Sequence, residues 1–198
     1  MRAIILTKAP TEGAVKTRMQ PQYSKKEALE LHKQMLETVI NKVCKTFNDV
    51  WLAVDDEAHP YFNMLRDKHT FTLCNQGGGD LGSRLSNLLI KSFDCDSTDV
   101  LFLGSDSPHV SVERYKSAQS ALLTHDIAIG PVEDGGYDLL ATKICAPELF
   151  DNINWGTSSV FQQSMHNIKH LDLSAKVLDY SFDLDRPDDL LRAPPATW

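Results

Sequence analysis

Three cations and a glycine crowd into the stretch KAPTEGAVKTR (8–18), which directly follows the short apolar run AIILT (3–7). A lysine neutralises phosphate as a point charge, an arginine as a fork of donors, and a glycine lets backbone amides come close. Lys8, Gly13, Lys16 and Arg18 therefore make a candidate phosphate-binding loop, although read alone the stretch could equally be a solvated connection. It is not a P-loop, because the G-x-x-x-x-G-K-[ST] spacing is missing, and no G-x-G-x-x-G dinucleotide fingerprint stands at this turn.

Three further loops carry residue types suited to the same chemistry. QGGGDLGSR (76–84) runs glycines, Gly78 and Gly79 among them, into a helix start, and Arg84 tilts it toward anion binding at a helix N-terminus. GSDSP (104–108) brings Asp106 out of an apolar run, where a carboxylate needs a cation or a donor. Asp106 could cap the next turn, but Ser111 is better placed to do so, which leaves Asp106 for Mg²⁺. The fourth constellation pairs GPVEDGGYDLL (130–140) with DLDRPDDL (183–190). Gly135 and Gly136 beside Asp134 suit either a close backbone approach or a hairpin turn. Asp183 and Asp185 share a face if the chain is extended, and one of them is expected as a second metal ligand. Asp185 could instead be the N-cap of the last helix, with Pro187 in its first turn.

These loops need elements that gather them. Short apolar runs alternate with helical patterns along the chain. VWLAV (50–54), TFTLC (70–74), VLFLG (100–104), IAIGP (127–131), YDLLA (137–141) and KVLDY (176–180) join AIILT as expected strands. SKKE (24–27) is a capping box, and Ala28, Leu31, Met35, Val39 and Val43 follow at helical spacing. Leu81, Leu85, Leu88 and Leu89 mark a second helix; others are expected around 60–67, after Ser111, from about Thr157, and in RPDDLLRA (186–193). VLFLG is continuous rather than alternating, as in a sheet covered on both faces. The expected fold is α/β, a single-domain three-layer sandwich over residues 1–198 with a mostly parallel mixed sheet. Ligands in such sheets sit beyond the carboxyl ends of the strands, where the unusual residues fall.

Composition bounds the partners. The chain of 198 residues is 42% hydrophobic and 24% charged, an ordinary globular balance, and its 27 acidic and 20 basic residues leave a net charge of −7. An acidic chain without a basic block argues against nucleic acid and anionic membranes, but not against a local cationic pocket. Cys44, Cys74, Cys95 and Cys145 are far apart with no C-x-x-C pair, so they are expected as buried free thiols. No signal-like or membrane-spanning run is present, which fits a cytoplasmic setting.

In order, KAPTEGAVKTR, QGGGDLGSR, LGSDSP, GPVEDGGYDLL, NWGTSSV and DLDRPDDL resemble the bacterial "transferase 1" family associated with radical-SAM and selenodomain proteins. That family belongs to the nucleotide-diphospho-sugar transferase (GT-A-like) superfamily, and the resemblance covers nearly the whole chain. The VKTR and GSDSP segments are also similar to those of 2-phospholactate guanylyltransferases and molybdenum-cofactor nucleotidyltransferases. The resemblance implies a small-molecule nucleotide over the first strands. Lys8, Gly13, Lys16, Arg18, Gly78, Gly79 and Arg84 would lie against it, and Lys16 and Asp106 would be catalytic. Mg²⁺ or Mn²⁺ would sit on Asp106 with Asp183 or Asp185, and the acceptor near Asp134, Gly135, Gly136, Trp155 and Thr157. Two departures bear on the acceptor: Arg186 stands where threonine is more usual, and Asp138 and Ala141 replace an aromatic residue and a glycine after DGGY.

The activity expected first is nucleotidyl transfer from an NTP. Glycosyl transfer from an NDP-sugar is the alternative, since its departing diphosphate needs the same clamp. A nucleotide-binding regulatory module without turnover is the reading from another class. His109, beside Asp106, is a conceivable base, though a lone loop histidine is more often structural.

Overall fold

The computed structural model describes residues 1–20 and 22–198. Seven strands form one sheet: β1 (Arg2–Thr7), β2 (Asp49–Val54), β3 (Thr72–Asn75), β4 (Val100–Gly104), β5 (Ile127–Pro131), β6 (Tyr137–Thr142) and β7 (Ala175–Val177). Their order is β3-β2-β1-β4-β6-β5-β7. All neighbours are parallel except β6, which runs antiparallel to β4 and β5. The β5–β6 pair is the hairpin that EDGG closes. The mostly parallel mixed sheet is thus the expected one, with the last strand shorter than KVLDY suggests.

Alternate residues of the strands divide between two cores. Ile5, Leu52, Leu101, Leu103 and Leu139 face α1 (Lys25–Thr46), α2 (Tyr61–Arg66) and α4 (Val112–Ala121). Ile4, Trp51, Phe102, Ile129 and Leu140 face α3 (Leu81–Asp94) and α5 (Val160–His170). Coverage on both faces explains the unbroken apolar run of β4 and completes the three layers. Helix α1 opens with the capping box read from SKKE: Ser24 accepts from the Glu27 amide while the Glu27 carboxylate accepts from the Ser24 amide. Ser111 does occupy the position before α4, yet its side chain makes no capping hydrogen bond there.

Two expectations change. Cys74 is buried, but Cys95 and Cys145 are exposed and Cys44 is only half-buried. Cys95 lies just past α3 and Cys145 past the end of β6, whereas Cys44, near the end of α1, still packs against the first core. Asp185 does not cap the last helix, α6 (Asp189–Arg192), which begins after Asp188. Asp189 instead turns back and accepts from the amides of Asp185 and Arg186.

A third, smaller core positions the site. Met19 from the first loop and Leu184 from the DLDRPDDL segment, both fully buried, pack with Leu190 on Ala28, Leu31 and Met35 of α1. Two loops more than 160 residues apart in sequence (Lys16 and Leu184 differ by 168) are thereby pinned side by side. Each such side chain contributes about 1.5–3 kcal/mol by leaving water. Leu184→Ala is expected to cost about 2–5 kcal/mol in urea denaturation, the range for a fully buried leucine.

Candidate active site

A cleft of about 550 Å³ opens beyond the carboxyl ends of β1 and β4. Leu6, Phe102, Leu81, Leu85 and Tyr137 give it an apolar side, and Lys8, Lys16, Arg18, Arg84, Asp106 and Asp185 a charged one. Leu81, 40% exposed at the start of α3, lines the cleft. The convergence that the sequence demanded, with Lys16, Arg84 and Asp106 around one cavity, is met.

Lys16 is the centre of the charged side. Its backbone is left-handed (φ 47°), which is uncommon outside glycine, and its side chain is only 4% exposed. Nζ lies 2.6 Å from Asp106 Oδ1 and 3.2 Å from Asp185 Oδ1, and donates to the Leu184 carbonyl at 2.8 Å. Arg18 closes the other edge of Asp185, 2.8 Å from Oδ2. Burial alone would lower the Lys16 pKa, but the two carboxylates outweigh it and the ammonium is held above its usual value. Burial likewise pushes Asp106 up, and Lys16 overrides it, so the carboxylate stays below its usual range. Asp106, a carboxylate expected to need a cation or a donor, is paired with Lys16.

Asp183 is different. Its carboxylate accepts from the Ser107 hydroxyl and has no cationic partner among the described residues. Burial first, and then the charges of Asp106, Asp138 and Asp185, push it up to about 7 against the lowering effect of Ser107. Asp183 is therefore the carboxylate of this group that no cation among the described residues pairs with.

The remaining predicted residues divide between lining and support. Lys8 lines the cleft, and its carbonyl meets His32 Nε2 at 3.1 Å. Since a carbonyl only accepts, that nitrogen carries the proton; burial foremost keeps the ring neutral. Arg84 turns back: Nε donates to the Gly79 carbonyl at 3.1 Å and Nη1 to Gln76 Oε1 at 3.1 Å. Gln76 in turn donates to the carbonyls of Thr7 (2.5 Å) and Ala53 (3.1 Å). Arg84 and Gln76 thus lash the glycine loop to the ends of β1 and β2. Gly13, Gly78 and Gly79 line neither this cleft nor its neighbour.

That neighbour is a second cleft of about 380 Å³, sharing Arg18 and Asp185 with the first. Asp134, Thr157, Asp183 and Arg186 line it. Gly135 and Gly136 support it from behind. A side chain on Gly135 (φ 91°) would reach within 2.1 Å of the Ser158 carbonyl oxygen, so only glycine lets the hairpin pack against the 156–159 loop. Trp155 lines neither cleft; it lies edge-on to Tyr137 and against Gly82 at the start of α3.

Three residues that the sequence did not single out complete the frame. His32 gives no signal beyond polarity within an apolar helical face, and Gln76 opens the glycine-rich motif without pointing to a role of its own. Arg114 forms a buried pair with Asp138, at 2.8 and 2.9 Å, which explains the carboxylate found after DGGY. His109 is no base: its ring stacks on Phe182 with centroids 4.2 Å apart, and burial lowers its pKa to about 4.

A Mg²⁺ or Mn²⁺ ion fits these residues in the manner typical of magnesium, which takes one or two carboxylates and completes its shell with water and substrate phosphate. Among the described residues no three His, Cys, Asp or Glu side chains form a ready-made cage. The unpartnered Asp183 beside Asp106 is the observation that favours a further cation.

The fold is that of nucleotide-diphospho-sugar transferases and cytidylyltransferases. Residues 38–157 match the family described as "Uncharacterized protein conserved in bacteria (DUF2064)", and the chain belongs to it. The structure is similar to that of a Desulfovibrio desulfuricans G20 protein provisionally named a nucleotide-diphospho-sugar transferase, with a TM-score of 0.88 and 27% identity over 97% of this chain and 86% of that one. It is also similar to a 4-diphosphocytidyl-2C-methyl-D-erythritol synthase of Anaerococcus prevotii DSM 20548, with a TM-score of 0.65 and 12% identity over 98% and 94%. A CMP:2-keto-3-deoxy-manno-octonic acid synthetase solved with CTP gives 0.59 and 10% over 98% and 96%. No functionally curated protein matches the chain. No helix is long and apolar enough to cross a membrane among the described residues.

The raised Asp183 carboxyl has a stability consequence. Between the unfolded value near 3.8 and the folded value of about 7, the native state binds more protons than the unfolded one. Stability is therefore lost as pH rises through that window. In metal-free buffer Asp183→Asn should match wild type below about pH 4 and exceed it increasingly up to about pH 7, where the gap levels off. Urea denaturation at pH 4, 5.5 and 8 tests this; a gap independent of pH would reject the assignment.

Proposed function

We propose that this chain is a divalent-metal-dependent transferase that uses a nucleotide, and that it catalyses nucleotidyl transfer from an NTP to a small acceptor. The observation that carries the reading is the pair of adjoining clefts, with Lys8, Lys16 and Arg18 on the first and Asp106, Asp183 and Asp185 around the wall between them. The names of the structural neighbours support it. So does the resemblance to the "transferase 1" family and to guanylyltransferases that the sequence motifs carry.

In this reading the triphosphate lies in the larger cleft, with its base toward the apolar side formed by Leu81, Leu85 and Phe102. Lys16 and Arg18 neutralise the phosphate oxygens, the main service a protein offers to phosphoryl chemistry. Asp106, with Asp183 or Asp185, holds the metal, which supplies further charge neutralisation when bound. An acceptor in the smaller cleft, beside Asp134 and Thr157, attacks the α-phosphorus. The bond from that phosphorus to the bridging oxygen breaks, and pyrophosphate leaves with the electron pair while Lys16 and Arg18 balance its charge. Gly135 and Arg84 act through the loops they position.

Glycosyl transfer from an NDP-sugar is the second reading, favoured by the name of the relative that is 27% identical. The two differ in product: pyrophosphate in one case, a nucleoside diphosphate in the other. Thermal unfolding against NTPs and NDP-sugars, with and without Mg²⁺, is the first experiment. Stabilisation of about 2.7 kcal/mol is expected at a hundredfold excess over Kd. The shift should require Mg²⁺ and vanish in Asp106→Ala; a shift that persists unchanged in that variant removes Asp106 from the metal. Binding that ignores Mg²⁺, with no product from any acceptor, would leave a regulatory module instead.

A further inference from the structure

We infer that Lys16 occupies the cation position of the free site, so that the divalent metal enters only together with the nucleotide. The inference rests on the assignment of Asp106 to the metal made above, and extends it to how that metal is admitted.

The geometry accounts for every proton on the ammonium. A lysine has three donors, and Lys16 has three acceptors within reach: Asp106 Oδ1, the Leu184 carbonyl and Asp185 Oδ1, at 2.6, 2.8 and 3.2 Å. None is left for a phosphate. A side chain 4% exposed and held by two carboxylates from separate loops is not a loosely placed surface lysine. Asp106, by contrast, is 44% exposed toward the cleft.

A divalent ion approaching that carboxylate alone meets a fixed ammonium already bonded to one of its oxygens, and like charges at this range repel strongly in a partly buried site. Phosphate oxygens remove the obstacle, because they give Lys16 other acceptors and bring the metal with them. The ammonium moves from carboxylate to phosphate while the metal replaces it on Asp106. Nucleotide and metal then bind with positive coupling, and free Mg²⁺ neither occupies nor blocks the empty site.

Mn²⁺ binding, followed by electron paramagnetic resonance of the unbound ion, tests this without turnover. Wild type alone should bind MnCl₂ at least about tenfold more weakly than Lys16→Met, which lies within the usual range for site coupling. The gain should disappear in the double variant Lys16→Met/Asp106→Asn. Addition of the α,β-methylene analogues of ATP, GTP, CTP and UTP should raise Mn²⁺ binding by wild type for the accepted base, and not by Asp106→Asn.

Equal Mn²⁺ affinity in wild type and Lys16→Met overturns the exchange, and if Asp106→Asn still abolishes that binding the metal assignment survives it. Mn²⁺ binding indifferent to Asp106 in every state overturns both. Should Lys16→Met not fold, ¹⁵N-lysine NMR of wild type decides. MnCl₂ alone must leave the Lys16 Nζ signal unbroadened, whereas MnCl₂ with the accepted analogue must broaden it; broadening by the metal alone refutes the exchange.

Discussion

One nearly buried ammonium, that of Lys16, holds together two carboxylates contributed by separate loops, one after β4 and one before α6. Taking such charges out of water is expensive, and the arrangement persists because the partners are fixed by something other than the ion pairs themselves. That support is apolar. Met19 and Leu184 enter a common small core on α1. The loop after β1 and the segment before α6 are thereby committed to lie side by side before any charge is considered. The polar site is a consequence of where those two side chains are buried.

The charge balance that results is uneven in a useful way. Lys16 and Arg18 satisfy Asp106 and Asp185, while Asp183, only a residue away from Leu184, is left with a hydroxyl donor and three carboxylates nearby. A protein that needed only a stable loop would gain by replacing such a group. In the proposed reading it is kept for the metal that arrives with the nucleotide. The wall around Asp183 is stiffened instead by stacking: His109 covers one side of Phe182, and the Arg192 guanidinium lies 3.8 Å from its ring while pairing with Glu133.

Several residues of these motifs brace the rim of the clefts, some of them while also lining it. Gly135 is needed because the hairpin and the 156–159 loop approach too closely for a side chain. Gln76 and Arg84 bind the glycine-rich loop to the strand ends, and Asp138 with Arg114 braces the wall beside β6. Motifs such as QGGGDLGSR and DGGY thus record packing at the rim of the clefts as much as contact with a nucleotide. This is why a residue can belong to a resemblance and still line neither cleft, as Gly13, Gly79 and Trp155 do.

The alternation of apolar strands with amphipathic helices was legible at once, because burial on two faces leaves a period in the sequence. So was the collection of Lys16, Arg18, Asp106 and Asp185 at one end of a parallel sheet, since every such loop must follow a strand. What could not be read was partnership. Asp106 bound to Lys16, Asp183 without a cation, Arg84 facing its own loop and Trp155 beneath Gly82 depend on side chains far apart in sequence. A single chain carries no periodic trace of long-range electrostatics. The sequence by itself determined the layers and which end of them is charged; tertiary packing alone decided which charges cancel, because that follows from distances of a few ångströms between distant loops.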